Sequence, residues 1–151
     1  MNLIFDMDDT IAALYAVPNW LEKLKAEDES PYLEAAPMWD MEKLRKVLER
    51  RKPRDKVIVV SWLAKNSSEN YKRKVRNAKI QWLQKYKFPY DEIHLIQYGA
   101  RKTRYIEKGK QHLIFDDNAA IRKQFSKFAN CKACNPLCND IIAILLEDVD
   151  G

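Results

Sequence analysis

Acidic side chains follow two short apolar runs of the chain, residues 3–5 and residues 113–115. The acids are Asp6, Asp8 and Asp9 after the first run and Asp116 and Asp117 after the second. Burial of unpaired carboxylates is prohibitively costly, so we expect a cation beside them. Carboxylate oxygens bind hard divalent cations such as Mg²⁺, which in proteins commonly bind phosphate oxygens as well. The pattern therefore predicts a site for a divalent metal and a phosphate.

A third apolar run, residues 57–60, ends in the hydroxyl side chain of Ser61. Strands are predicted at residues 3–5, 57–60, 92–96, 113–115 and near 128–133, with helices between or after them at residues 41–52, 68–86, 119–128 and 137–146. Strands that alternate with helices favour a three-layer α/β fold with a parallel sheet. Because such sheets bind ligands beyond the carboxyl ends of their strands, we expect the acids and Ser61 to meet in one pocket.

Length and composition restrict the remaining possibilities. A chain of 151 residues is near the size of one domain. The net charge of +5, from 27 basic and 22 acidic residues, is compatible with anionic partners of any size. No apolar stretch has the length of a membrane span, and acids occupy the place of a signal peptide's hydrophobic region. We therefore expect a soluble, cytoplasmic protein with no membrane partner.

The three cysteines lie close together in the sequence, at Cys131, Cys134 and Cys138. A structural zinc site needs a fourth ligand, and neither His94 nor His112 is near them in the sequence. Reduced thiols are the favoured interpretation, because disulfides are unexpected in a cytosolic protein.

Four motifs in the chain resemble those of the haloacid dehalogenase-like phosphatases. Residues 6–10, with Asp6, Asp8 and Thr10, resemble the D-x-D-x-T signature that follows the first strand of that family. Ser61 resembles the second motif and Lys102 the third, while the pair Asp116 and Asp117 resembles the fourth. All four occur in the family's order between residue 1 and about residue 118. The resemblance implies a Rossmann-like parallel sheet with a small cap inserted after the first strand, here residues 12–39 of a single domain spanning 1–151.

Within that superfamily, the chain looks most like small 5′(3′)-deoxyribonucleotidase-like proteins. The similar segments are residues 61–65, residues 91–94 and the pair Tyr98 and Gly99. This closer resemblance implies a magnesium-dependent phosphatase that acts on a nucleoside monophosphate, a small-molecule phosphate monoester.

The acidic residues can perform the chemistry that this family implies. Asp6 would attack phosphorus to form an aspartyl-phosphate, and its second oxygen would bind Mg²⁺. Asp8 would protonate the leaving oxygen and then deprotonate the hydrolytic water, a role that requires a raised pKa. The backbone carbonyl of Asp8 and the carboxylate of Asp116 would complete the protein ligands of the metal, with Asp117 or Asn118 acting through water.

The remaining motif residues would bind or orient. Ser61 would donate its hydroxyl to a phosphate oxygen, and Lys102 would neutralise the charge that gathers around Asp6. Lys108 is the alternative to Lys102 as the catalytic lysine. Thr10 would orient the loop by a hydrogen bond.

Asp9 and the aromatic residues of the predicted cap are expected to have roles outside the catalytic chemistry. Asp9 is interpreted as a turn or capping carboxylate without a chemical role. The aromatic residues of the predicted cap, Tyr15, Trp20, Tyr32 and Trp39, are candidates for stacking on a base, although packing of the cap against the body explains most of them as well.

Two other functions stay open at this point. The same chemistry could act on the end of a nucleic acid, steered by the basic residues 72–76 and 50–56, although a small nucleotide is favoured. The fold could also serve as a non-catalytic binding module, since a fold does not fix a function.

Overall fold

In a computed structural model, residues 1–150 are described and form a five-stranded sheet with helices on both faces. The strands are β1 (Asn2–Phe5), β2 (Lys56–Trp62), β3 (Glu92–Ile96), β4 (His112–Phe115) and β5 (Cys131–Cys134). The α-helices are α1 (Trp20–Lys25), α2 (Ser30–Glu34), α3 (Met41–Glu49), α4 (Glu69–Lys85), α5 (Ala119–Ser126) and α6 (Ile141–Asp150). Short 3₁₀ helices cover Leu14–Ala16 and Lys102–Tyr105.

All paired strands are parallel, in the order β3-β2-β1-β4-β5. The central strand β1 pairs Phe5 with Val59 of β2 on one side and with Phe115 of β4 on the other. From β1, the chain adds β2 and β3 on one side of the sheet and then crosses to the other side of β1, where it adds β4 and β5. Ligands of open α/β sheets bind where the strand order reverses in this way. The predicted parallel α/β sheet is therefore confirmed, and its ligand crevice lies beyond the end of β1.

The two faces of the sheet bury different side chains, because successive residues of a strand point to opposite faces. Phe5 packs with Phe115 and Phe88 on the face covered by α3, α4 and α6, with ring centroids 4.9 and 5.3 Å apart. On the other face, Ile4 packs with Phe125 of α5. Both faces of β1 are apolar and covered, which explains why the run at residues 3–5 shows no alternation.

Several element boundaries differ from those predicted. Ser61 lies inside β2 rather than after it. β5 begins at Cys131, three residues later than predicted, and α6 begins at Ile141 instead of residue 137. The late start of α6 has a clear cause, because the Asp140 carboxylate accepts hydrogen bonds from the Ile142 and Ala143 amides and so caps the first turn.

The three cysteines are free thiols in the described structure. Along residues 1–150, no helix combines the length and the apolar character that crossing a membrane requires.

Residues 12–39 contain one 3₁₀ turn and two short helices. Pro31 lies in the first turn of α2, where its missing N–H costs nothing, so it starts a helix rather than ending one. Hydrogen bonds tie this segment to α4. The Trp82 indole donates to the Ala35 carbonyl at 2.8 Å, and the Tyr71 hydroxyl donates to the Asp28 carbonyl at 2.9 Å. The Glu27 carboxylate accepts from the amide of Ser68, the residue that caps α4, at 2.8 Å.

Candidate active site

A cavity of about 680 Å³ opens at the carboxyl ends of the strands, between the sheet and residues 12–39. Carboxylates, a lysine and aromatic rings line this cavity. The lining includes Asp6, Asp8, Lys102, Asp116, Asp117, Asn118, Tyr15, Trp20, Tyr32, Trp62 and Tyr98. Four of the five acids that follow the two apolar runs, Asp6, Asp8, Asp116 and Asp117, therefore meet in one pocket.

Asp6 directly follows the central strand, and the residue is only 7% exposed. Its Oδ1 lies 3.2 Å from Nζ of Lys102, and its Oδ2 accepts a long hydrogen bond, 3.4 Å, from the hydroxyl of Thr10. Thr10 is fully buried, and its carbonyl accepts from the indole of Trp39 at 2.8 Å. Trp39 thus packs beneath the loop, and Thr10 holds the Asp6 carboxylate from below.

Lys102, and not Lys108, reaches the carboxylates. Its ammonium lies 2.7 Å from Asp116 Oδ2 and is 5.1 Å from the centre of the Trp62 ring. Lys102 is 3% exposed, whereas Lys108 is exposed to solvent. Burial lowers the pKa of Lys102, but the ion pairs with Asp6 and Asp116 outweigh burial and raise it above its ordinary value.

Three carboxylates form the candidate metal centre: oxygen atoms of Asp6, Asp116 and Asp117 all lie within 4.8 Å of one another. Burial, followed by the nearby charge of Asp6, raises the pKa of Asp116 to about 6 and that of Asp117 to about 8. Lys102 is the cation paired with this cluster in the described structure, so three carboxylates face one ammonium. A divalent cation would balance that charge, and an all-oxygen donor set is the kind that Mg²⁺ prefers.

The loop after β4 is held in place by its own hydrogen bonds. The Asn118 amide donates to Asp116 Oδ1 at 2.9 Å, and the Asn118 side chain caps α5 by accepting from the Ala120 amide. Arg122 donates to the carbonyls of Asp116 and Asp117 at 3.0 and 2.8 Å. Sequence reasoning did not single out Arg122, which fixes both acids through their backbone.

Asp8 lies apart from the three-carboxylate cluster, because its side chain turns toward a second buried lysine. Lys79 donates to Asp8 Oδ2 at 2.9 Å. Burial raises the pKa of Asp8, an effect that the Lys79 charge opposes and the Asp6 charge reinforces. Lys79 was not predicted as a site residue. The available signal was its spacing, since it lies four residues after Val75 and three before Trp82, on the apolar stripe of α4.

Ser61 lies beneath the cavity surface rather than on it. Its side chain has no exposed area, and its Oγ accepts a 2.8 Å hydrogen bond from Lys79. Trp62, Leu63 and Ala64, which follow Ser61 in the chain, do line the cavity. The contact between the Ser61 hydroxyl and a phosphate oxygen stays a prediction.

Asp9 has the turn conformation that was expected of it. Its backbone is left-handed, with φ 56°, and its carboxylate accepts from the Tyr15 amide at 3.4 Å. Asp9 does not line the cavity.

The aromatic residues of the 12–39 segment divide between the cavity and the core. Tyr15 and Trp20 line the cavity with ring centroids 4.5 Å apart, and Tyr15 is 53% exposed. From the body of the protein, Trp62 and Tyr98 contribute a second aromatic pair, with centroids 4.9 Å apart. Tyr32 lines the cavity as well but is buried, with Lys79 above its ring.

The chain was compared with known proteins. No family model and no curated protein matches it. Among solved structures, it is similar to the crystal structure of D,D-heptose 1,7-bisphosphate phosphatase from Burkholderia thailandensis. The TM-score is 0.52 over 99% of each chain, with 9% sequence identity. The two proteins share a fold. The shared fold is the parallel α/β sheet with helices that the alternation of strands and helices predicted.

Proposed function

We propose that this protein is a magnesium-dependent phosphomonoesterase that hydrolyses a nucleoside monophosphate through an aspartyl-phosphate intermediate. One observation carries the proposal: three clustered carboxylates, two of them buried, and one buried lysine line a cavity that aromatic rings also line, on a fold shared with a phosphatase. A non-catalytic binding module would not need a nucleophile, an acid and a buried cation in this arrangement.

Asp6 is the proposed nucleophile. One of its oxygens forms a bond to phosphorus while the bond from phosphorus to the ester oxygen breaks. Lys102 and Thr10 contact the two oxygens of Asp6 and hold the carboxylate in one orientation. Such preorientation lowers the barrier, because the attacking group does not have to be ordered during the reaction. Water then attacks the aspartyl-phosphate, which releases inorganic phosphate and restores Asp6.

Asp6, Asp116 and Asp117 would hold the Mg²⁺, with the backbone carbonyl of Asp8 as a further proposed ligand. Bound there, the metal would polarise the phosphoryl group and offset its negative charge. Lys102 lies between Asp6 and Asp116 and would offset further charge on the transferring group.

Asp8 is the proposed general acid and base. Its side chain reaches the cavity two residues after the nucleophile, with Oδ2 bonded to Lys79. The other oxygen, Oδ1, would give a proton to the departing ester oxygen and later take one from the hydrolytic water.

The aromatic rings support a nucleotide as the substrate. A cavity of about 680 Å³ lies within the size range of small-molecule sites. The Tyr15–Trp20 and Trp62–Tyr98 pairs offer flat surfaces near the carboxylates, and bases stack favourably on such rings.

The test is phosphate release from a panel of nucleoside monophosphates, an aryl phosphate and a 3′-phosphorylated oligonucleotide. Each substrate is assayed with Mg²⁺ and with excess chelator, for the wild type and for Asp6→Asn. The matched control is Asp9→Asn, an acid of the same loop that does not line the cavity. We expect turnover of at least one monophosphate, with loss of that turnover in chelator and in Asp6→Asn but not in Asp9→Asn.

Two outcomes would contradict the proposal. Release from the oligonucleotide alone would identify a nucleic-acid end phosphatase. Absence of phosphate release from every substrate, including the aryl phosphate, would favour the binding module.

A further inference from the structure

Lys79 is a buried charge that the proposed reaction does not use. The basic residues earlier in α4 lie on its outer surface, where Arg73, Lys74 and Arg76 are exposed. Lys79 is 1% exposed, among the most buried side chains of the described structure. A lysine is almost never fully buried unless it is paired, so its partners indicate why it is there.

All three hydrogens of the Lys79 ammonium have acceptors. They are donated to Asp8 Oδ2 at 2.9 Å, to Ser61 Oγ at 2.8 Å and to the Trp62 carbonyl at 2.7 Å. The ammonium also lies 5.2 Å from the centre of the Tyr32 ring. One side chain of α4 therefore connects the loop after β1, the end of β2 and the segment that covers the cavity.

These contacts fix the hydrogen-bonding state of two neighbours. Because Asp8 Oδ2 is bonded to Lys79, Oδ1 is the carboxylate oxygen left for a ligand in the cavity. Because Ser61 Oγ accepts from Lys79, the Ser61 hydroxyl hydrogen has to point toward a different acceptor. Without Lys79, the Asp8 carboxylate could rotate, and Ser61 Oγ would lose its hydrogen-bond donor.

We propose that Lys79 is a positioning residue that orients the Asp8 carboxylate, with Oδ1 toward the leaving oxygen. This role rests on the proposed function, since it requires Asp8 to protonate the leaving group. It predicts a dependence on the leaving group. An ester oxygen that departs poorly as an anion needs the proton from Asp8, whereas p-nitrophenolate leaves readily without one.

The experiment compares kcat/KM for the nucleoside monophosphate that the wild type hydrolyses best with kcat/KM for p-nitrophenyl phosphate. This constant reports the steps up to departure of the leaving group. Lys79→Met removes the ammonium and keeps the length of the side chain, and Arg76→Met is the matched control on the exposed side of the same helix. Lys79→Gln, which keeps a donor, is the second variant. Circular dichroism and urea unfolding establish which variants are folded.

We expect Lys79→Met to lower kcat/KM for the monophosphate about 100-fold, which is the loss in rate that a misplaced general acid causes. For p-nitrophenyl phosphate, kcat/KM should fall less than tenfold. In an Asp8→Asn background, Lys79→Met should cost no further activity on the monophosphate, because the group that it orients is already gone. If Lys79→Met does not fold, Lys79→Gln should show the same selective loss, because its shorter amide has two hydrogens for three acceptors.

Equal losses on the two substrates, no loss at all, or a full further loss in the Asp8→Asn background would each overturn the positioning role. A wild type that hydrolyses neither substrate would instead refute the proposed function itself, and the two failures are thereby distinguished.

Discussion

Replacing Lys102 by methionine tests whether this lysine balances the charge of the carboxylates. Lys102 is 3% exposed and lies 2.7 Å from Asp116 Oδ2 and 3.2 Å from Asp6 Oδ1. Removing one partner of a buried ion pair costs about 3–5 kcal/mol, because the remaining charge is left buried and unpaired. For a chain of this length, that corresponds to a fall in Tm of roughly 6–20 °C.

The assay is urea unfolding followed by tryptophan fluorescence in excess chelator, so that no divalent ion replaces the lysine. Lys108→Met is the matched control, since Lys108 follows the same turn but is exposed, and its free energy of unfolding should stay within about 0.5 kcal/mol of the wild type. The two variants should also differ in phosphatase activity, because the kcat of Lys102→Met should be about 10²–10³-fold below that of the wild type.

The stability loss should also depend on pH. In the wild type, Lys102 opposes the rise in the pKa of Asp116, so its removal raises that pKa further. A carboxyl whose pKa is higher in the folded than in the unfolded state binds its proton more tightly when folded, so acid relieves the destabilisation. The difference between the wild type and Lys102→Met should therefore narrow as the pH falls from 8 to 5.5. Equal stabilities of Lys102→Met and Lys108→Met at pH 8 would refute the reasoning.

Two further predictions concern the cavity wall and the opposite end of the sheet. Tyr15→Ala should lower kcat/KM for nucleoside monophosphates about 5–150-fold, which is the effect of losing one stacked base. The kcat/KM for ribose 5-phosphate, which has no base, should stay within threefold of the wild type. Equal losses on both substrates would mean that Tyr15 does not stack on the base. Burial lowers the pKa of His112, so the unfolded chain takes up a proton near pH 6.5 that the folded chain does not. The free energy of unfolding should therefore fall as the pH decreases below about 6.5. Urea unfolding at pH 5–7.5 should show a weaker pH dependence of this free energy in His112→Gln than in the wild type. An equal pH dependence in the two proteins would contradict the prediction.

The sheet and its acids were predictable from the sequence for a physical reason. A buried parallel strand is apolar on both faces, so a short apolar run that ends abruptly in Asp6 or Asp116 marks both the strand and the edge where a ligand binds. The positions at which three of the helices begin are also determined locally. The side chains of Asp40, Ser68 and Asn118 each accept a hydrogen bond from a backbone amide in the helix that follows.

The arrangement within the site depends on contacts between distant residues. The sequence favoured Lys102 over Lys108 only by resemblance to a motif, and the 3₁₀ turn that begins at Lys102 is what places this buried side chain in the cavity wall. Lys79 was not singled out because the basic residues around it suggested that the charged side chains of this helix face solvent. Trp82 and the other core residues of α4 determine how the helix is rotated about its axis, and this rotation turns Lys79 toward the interior.

Helix α4 carries Lys79 and also the residues that anchor the 12–39 segment, and its inner face contributes Val75 and Trp82 to the main core. Unfolding of α4 would consequently remove part of the main core and the anchors of the 12–39 segment together. On heating, loss of the binding cavity and loss of the fold should coincide in a single transition. There should be no temperature range in which the protein is folded but unable to hold a ligand.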